Sequence, residues 1–326
     1  MVGLAVSQHS GLGRGTLASV CTSLGHVDVQ RVTRLINRTR TALAVLLAGI
    51  PQPSSSQSSS IGRVGVDNLT IGLGIHGQWQ QDLPIEDFRQ MAPESRLLRQ
   101  DFSTLTRDSW QRLEGALLLR TTIGINLLRE RPERRRDSPQ FSLGITYLDA
   151  VQRSAFFYRT NRWPHDTVVS STTGEIHVID SVEDLSFTMR YISNELLLDV
   201  CLIWRSDKKA KASLLTGVGV SVGTSVMAAT EIIYYVAEYT EIRGQGPDTF
   251  NATIDSEQFR NRSNLSCSLW MPLGIEMRIG REGAALNRVY LTYSITPEMR
   301  IRRIPELRTM VTGGFQLSFG FKIALV

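Results

Sequence analysis

Past position 60, His76, His165 and His177 are the side chains best suited to moving a proton or holding a metal ion. His177 lies close in sequence to Ser170, Ser171 and Glu175, which together supply the base, nucleophile and acid of a hydrolytic set. Those types are common in loops, so no catalytic residue is assigned. The chain has no HExxH, no paired-cysteine metal spacing and no nucleophile elbow, so neither a metal nor a cofactor is expected. The glycines of Gly217–Gly223 (GVGVSVG) fall on every second residue with no helical pattern after them. A phosphate loop needs a strand, a turn and a helix, so these glycines read as packing positions in a strand. GLGRG at 11–15 carries no weight in so early a segment.

Charge excludes another class. The net charge of +5 is spread along the chain, and its densest run, RERPERRR at 129–136, contains two glutamates. No basic face with interleaved aromatics appears, so nucleic acid is not an expected partner. Three cysteines are too few for a disulfide scaffold. By parity Cys201 and Cys267 face opposite sides of their strands, an arrangement in which their Cβ vectors do not converge.

The elements that carry these residues read as strands. From Phe315 the C-terminal stretch alternates without a slip: Phe315, Leu317, Phe319, Phe321, Ile323 and Leu325 on one face, Gln316, Ser318, Gly320, Lys322 and Ala324 on the other. Similar alternation predicts strands from Asn68 to about Trp79, Leu113–Leu128, Gln140 to about Arg159, and about Leu185 to Arg205. Further strands are predicted from Leu214 through Tyr239, over Leu265–Ile279 and over Val289–Ile295. Eight strands result. The connections 80–112, 161–180, 241–263 and 302–308 are mostly long, the first with a helical turn in Glu94–Gln100; the connections 129–139, 206–211 and 281–285 are shorter. Short turns at one end and long loops at the other suit a barrel whose chain starts and ends on the same side.

Upstream, Thr41–Ile50 (TALAVLLAGI) follows Arg31, Arg34, Arg38 and Arg40 and precedes PQPSSSQSSS. A positive flank, a short apolar core and a small polar tail form the layout of a secretory signal. The expected organisation is therefore an over-annotated or disordered 1–26, a signal and Ser-rich linker over 27–60, and one barrel over 61–326. No stretch approaches the roughly twenty apolar residues of a membrane-spanning helix.

The polar face of the strands decides between lipid and water outside. It is largely Gly, Ser, Thr and Ala, with single charges at Arg120, Asp199, Glu276, Arg278, Arg288 and Lys322. Small residues suit a crowded interior, and those charges are expected to pair within it, Lys322 with Glu276 or Asp199. The fold expected is an all-β, antiparallel up-and-down transmembrane barrel of eight strands, apolar face outward. Trp163, Phe250 and Phe259 are expected in exposed loops as contact residues, and the three histidines at or near the outer rim or in outer loops.

The strands LRTTIGINLL and SLLTGVGVSVGTSV, NELLLDVCLIWR ahead of the second, and the ending GGFQLSFGFKIALV resemble small bacterial outer-membrane β-barrel proteins of the OmpA/OmpX-like kind, and uncharacterised Bacteroidetes-type barrels. The resemblance covers roughly 64–326, and the chain departs from it by ending in Val326, not an aromatic residue. It implies residence in the bacterial outer membrane with periplasmic termini, contact with outer-membrane lipid and the assembly machinery, and an extracellular or envelope protein partner at the loops. A structural or binding role is expected, without catalysis; a narrow channel and a rim-located lipid-modifying enzyme are the alternatives.

Overall fold

A computed structural model describes residues 64–79, 83–108, 113–127, 139–169, 171–172, 174–206, 210–242, 247–280 and 285–325. The expectations for 1–60 lie outside these residues. The chain folds into two units, 60–162 with 182–238 and 251–326 forming the larger. The smaller includes 163–181 and 239–250, whose described residues are strand and turn with Trp163, Val168, Val169 and Ile176 exposed.

The strands are β1 (Val64–Trp79), β2 (Thr106–Arg107), β3 (Leu113–Leu127), β4 (Gln140–Val169), β5 (Ile176–Arg205), β6 (Ala212–Ile242), β7 (Pro247–Arg260), β8 (Leu265–Trp270), β9 (Leu273–Arg278), β10 (Val289–Arg303) and β11 (Thr309–Ala324). One helix, α1 (Ile85–Met91), and 3₁₀ turns at Leu97–Arg99 and Ala285–Arg288 complete the described elements. β11 pairs with β1, β1 with β3, and the order continues through β4, β5 and β6 to β8 and β9, which both pair with β10; β10 closes on β11. All registered pairs are antiparallel. β8 and β9 occupy one place in the ring, broken at Met271-Pro272, because proline cannot donate to the ladder. The ring therefore has eight members.

Two stretches expected as long loops are strand instead. β4 runs to Val169 and β5 starts at Ile176, so 161–180 is mostly ladder; 241–264 contains β7. Trp163-Pro164 lies within β4 and Pro247 opens β7, because an edge or hairpin end tolerates proline where one side of the backbone needs no partner. Phe259 is accordingly on a strand and packs against the core beneath α1. Phe250 is on β7, and its side chain lies outside those described.

Sidedness is inverted within single strands. In β5 the outward residues Leu196, Leu198, Val200, Leu202 and Trp204 are exposed, while Glu195, Leu197, Asp199 and Cys201 are buried. Before Asn194 the pattern reverses its chemistry: Leu185, Phe187, Met189 and Tyr191 are buried, and Ser186, Thr188 and Arg190 face the other side. Leu196–Trp204 matches the roughly 9–11 residues that cross a bilayer as a tilted strand. The apolar-out, polar-in half suits lipid; the apolar-in, polar-out half suits water. At the same level β4 shifts parity through Ala150, which has φ of 55° and donates its N–H to Asn194 Oδ1 at 3.0 Å. Buried residues before that bulge are Ser142, Thr146 and Leu148; after it they are Val151, Arg153, Ala155 and Phe157.

The water-side half is filled by the segment between β1 and β3. Pro84 leads into α1, Glu86 and Asp87 sit in its first turn where the helix dipole favours acids, and Phe88 and Met91 face inward. With Leu97, Leu98 and Phe102 they pack on Phe157, Phe187, Met189, Ala228, Ile232 and Ile304. Phe102 meets Phe187 at 4.7 Å and Phe157 at 5.4 Å between ring centroids. This cap is fastened at two sheet edges. Thr106 and Arg107 pair with Tyr158 and Phe157 on β4, and Glu257 on β7 accepts from Ser95 Oγ at 2.6 Å. Arg96 pairs with Asp255, and Asn261 donates to Met91 O at 2.8 Å. At the turn after Leu98, the N–H and hydroxyl of Ser103 both donate to Asp101 and hold its carboxyl below the usual range.

The inversion predicts opposite responses from two positions on one strand. Leu198→Arg, at an outward residue of the apolar half, is expected to cost about 2–4 kcal/mol in bilayers. Thr188→Arg should stay within about 0.5 kcal/mol. Urea titration of folding into lipid vesicles reads both, and equal costs would contradict the placement of the boundary.

Candidate functional site: the ion-paired interior

Most of the large polar side chains of the apolar-walled half point into the lumen, where they form two bonded groups, one around Asp199 and Glu195 and one around Glu276. Arg120 on β3 donates from Nε to Thr146 Oγ1 at 2.8 Å and Asp199 Oδ2 at 3.0 Å, and from Nη2 to Gln316 Oε1 at 2.8 Å. Its guanidinium lies 4.7 Å from the Trp270 ring centroid, a cation–π contact. Trp270 Nε1 donates to Ser221 Oγ at 2.7 Å, and Ser221 donates to Asp199. Asp199 thus accepts from β3, β4 and β6 at once, with Thr146 its β4 donor.

Toward the end at which β1 begins and β11 ends, Glu276 accepts from Arg205 Nε at 2.8 Å and Nη2 at 3.0 Å, and from Lys322 Nζ. The two-pronged Arg205 contact fixes the carboxylate plane. Arg205 also bonds Gln140, which donates to Asp67 Oδ2 at 2.6 Å. Lys322 lies 4.2 Å from the Tyr290 ring centroid.

Toward the cap, Glu195 on β5 is the centre. Its Oε2 accepts from Arg300 Nη1 at 3.0 Å, its Oε1 lies 2.7 Å from Arg302 Nε, and Ser266 Oγ is 3.3 Å away. Arg300 reaches Glu298 at 3.2 Å; Glu298 also holds His76 and accepts from Gln316 Nε2 at 2.6 Å. Gln316, bonded to both Glu298 and Arg120, joins this layer to the Asp199 layer. Glu195, Arg300 and Arg302 are all within 1% of full burial. Charges so buried persist only when paired, which these are.

Of the sequence candidates, the lumen brings together Arg120 with Asp199 and Lys322 with Glu276. Arg278 is partly buried, with its guanidinium 5.5 Å from the Tyr290 ring centroid. Arg288 is different: it belongs to the 3₁₀ turn Ala285–Arg288 and is exposed, because the ladder starts one residue later. His76 is a second correction, buried at 1% exposure against Glu298, not at the rim. Sequence reasoning missed Glu195, Arg205, Glu298, Arg300 and Arg302. The signal was available in β10, where Pro297, Met299 and Ile301 continue the apolar face and Glu298, Arg300 and Arg302 the opposite one. The strand expected over Val289–Ile295 stops short of them, whereas β10 runs on to Arg303.

Between the Asp199 and Glu276 layers lies a cavity of about 90 Å³, lined by Arg120, Ser142, Asp199, Arg205, Trp270 and Glu276 among others. It is smaller than the clefts that take organic ligands. His177 and Glu175 come within 3.9 Å, and Ser170 lies outside the described residues. Among the described residues no group of His, Cys, Asp and Glu has metal-binding geometry. Cys201 is buried and Cys267 exposed, both as free thiols.

Ring closure and inverted sidedness together decide the fold. The chain is an antiparallel transmembrane β-barrel. Among solved structures it is similar to Neisserial surface protein A, with 8% identity over 80% of this chain and 98% of that one, at a TM-score of 0.33. It is also similar to Ail, the attachment invasion locus protein of Yersinia pestis in complex with the heparin analogue sucrose octasulfate, with 8% identity over 79% and 100% at 0.22. A third likeness is the translocator domain of the autotransporter NalP from Neisseria meningitidis, with 9% identity over 90% and 97% at 0.16. No protein-family profile and no curated sequence matches the chain. These likenesses are loose, and the fold rests on strand register and sidedness. No described helix is long and apolar enough to cross a membrane.

Proposed function

We propose that this protein resides in the bacterial outer membrane as a barrel with a closed lumen, and works as a binding or structural platform at its capped end. The observation that carries the reading is the inversion along β5, which gives one strand a lipid-facing half and a half built for water. In this reading the end holding Asp67 and Ala324 faces the periplasm and the cap faces outward. The interior is filled by paired side chains from Glu195 to Glu276, which favours a platform over a narrow channel. A rigid wall with a fastened, polar-surfaced cap is the kind of scaffold on which loops recognise partners. Lipid at the belt, the assembly machinery during insertion, and an envelope or extracellular protein at the cap are the partners this reading names.

A photo-crosslinking side chain placed at Gln100 on the cap and at Ile145 on the apolar belt tests it in cells. Expected are protein adducts from Gln100 and lipid adducts alone from Ile145. Adducts at neither position but lipid, or protein adducts equally from both, would remove the platform reading.

A further inference from the structure

Outside the lumen, three exposed arginines stand near the end of the apolar wall, on β7, on β10 and just before β8. Arg303 ends β10 on the outward face, one step beyond exposed Ile301, and its cross-strand neighbours are exposed Leu265 and Thr309. Arg262 lies three residues before Leu265 in the chain and is exposed. Arg260 on β7 is exposed as well, while its neighbour Phe259 packs inward. Glu306, the nearest acid by contact, takes the backbone N–H of Arg262 at 2.9 Å, not its guanidinium. Among the described residues none of the three guanidinium groups makes an ion pair or hydrogen bond. Directly below them the wall is apolar and exposed: Leu265 at 60%, Val226 at 56% and Ile301 at 43%.

We infer that Arg260, Arg262 and Arg303 form a site for the phosphorylated headgroup of an outer-leaflet lipid, its acyl chains lying against Leu265, Val226 and Ile301. The inference rests on the membrane reading above and adds a ligand to it. Guanidinium groups match phosphate through two parallel N–H bonds, and unpaired ones at the top of an apolar belt stand where headgroups lie. A phosphate there gains both the arginines and the adjacent apolar surface, whereas a free anion gains only the arginines.

The test refolds the full barrel into mixed micelles and measures retained lipid by native mass spectrometry. Diphosphoryl lipid A, dephosphorylated lipid A and phosphatidylethanolamine are offered separately, with inorganic phosphate as competitor. Expected is preferential retention of the diphosphoryl form, lowered roughly fivefold by each of Arg260→Gln, Arg262→Gln and Arg303→Gln. Arg99→Gln on the cap should leave retention unchanged. Equal retention of phosphorylated and dephosphorylated lipid, undiminished retention by the triple variant, or displacement by inorganic phosphate alone would each overturn the inference. Heat-modified gel mobility, read on the same samples, separates the two levels. A barrel that folds in lipid yet ignores the arginines refutes only the lipid site, and one that never folds in lipid refutes the membrane reading itself.

Discussion

Glu195→Ala is expected to be the most damaging single substitution in the barrel interior. It leaves Arg302 without its carboxylate at 2.7 Å and takes one of two acidic partners from Arg300, which keeps Glu298 at 3.2 Å. Removing one partner from a buried pair typically costs about 3–5 kcal/mol, because the remaining charge stays desolvated and unmatched. Folding yield by heat-modified mobility, and the urea midpoint in bilayers, should both fall. The same physics predicts a rescue. Glu195→Leu combined with Arg302→Met removes both charges and fills the space, so much of the loss should return, with Arg300 still held by Glu298. A double variant as unstable as Glu195→Ala would show that the layer is held by packing and not by charge pairing.

Phe88→Ala is the second. Phe88 is fully buried at the centre of the cap, among side chains from β4, β5 and β6. Emptying such a site costs about 3–5 kcal/mol. The loss should fall on the cap and not on the ring, because the ring closes through its own ladder without α1. Trypsin should then cut within 83–108, at Arg89, Arg96 or Arg99, at a rate raised by two to three orders of magnitude. The urea midpoint of the barrel should hardly move. Loss of the barrel together with the cap would mean that the two fold as one cooperative unit.

The two substitutions address different chemistry in one strand. Glu195 and Phe187 both point inward on β5, yet one belongs to a charged layer and the other to an oily one. What changes between them is the outside. Where lipid surrounds the wall, apolar residues are spent on the exterior and the lumen must be polar to match the few charges it holds. Where water surrounds it, the usual order returns and a hydrophobic core is needed, which the cap supplies.

Alternation made most strands legible, and with them the ring of eight, because a residue's side of a sheet is set by its position modulo two. It also placed Arg120, Asp199, Glu276 and Lys322 on the inner face, since the last three sit between outward apolar neighbours and Arg120 between Leu119 and Thr121 in an alternating run. Three things were beyond it. The bulge at Ala150 shifts parity, so alternation does not carry through β4 and the strand expected to end near Arg159 continues to Val169. The helix α1 was missed, because seven residues carry too little periodicity to stand out, and only the facing aromatics of β4 and β5 give it a place. Partner choice was also open: Lys322 could have met Glu276 or Asp199, and parity treats them alike. Strand tilt and register put Glu276 beside Lys322 and left Asp199 to Arg120. A one-dimensional pattern determines which face a residue takes. Which residues meet across a lumen depends on how far each strand slides against its neighbours, and that is decided only when the ring closes.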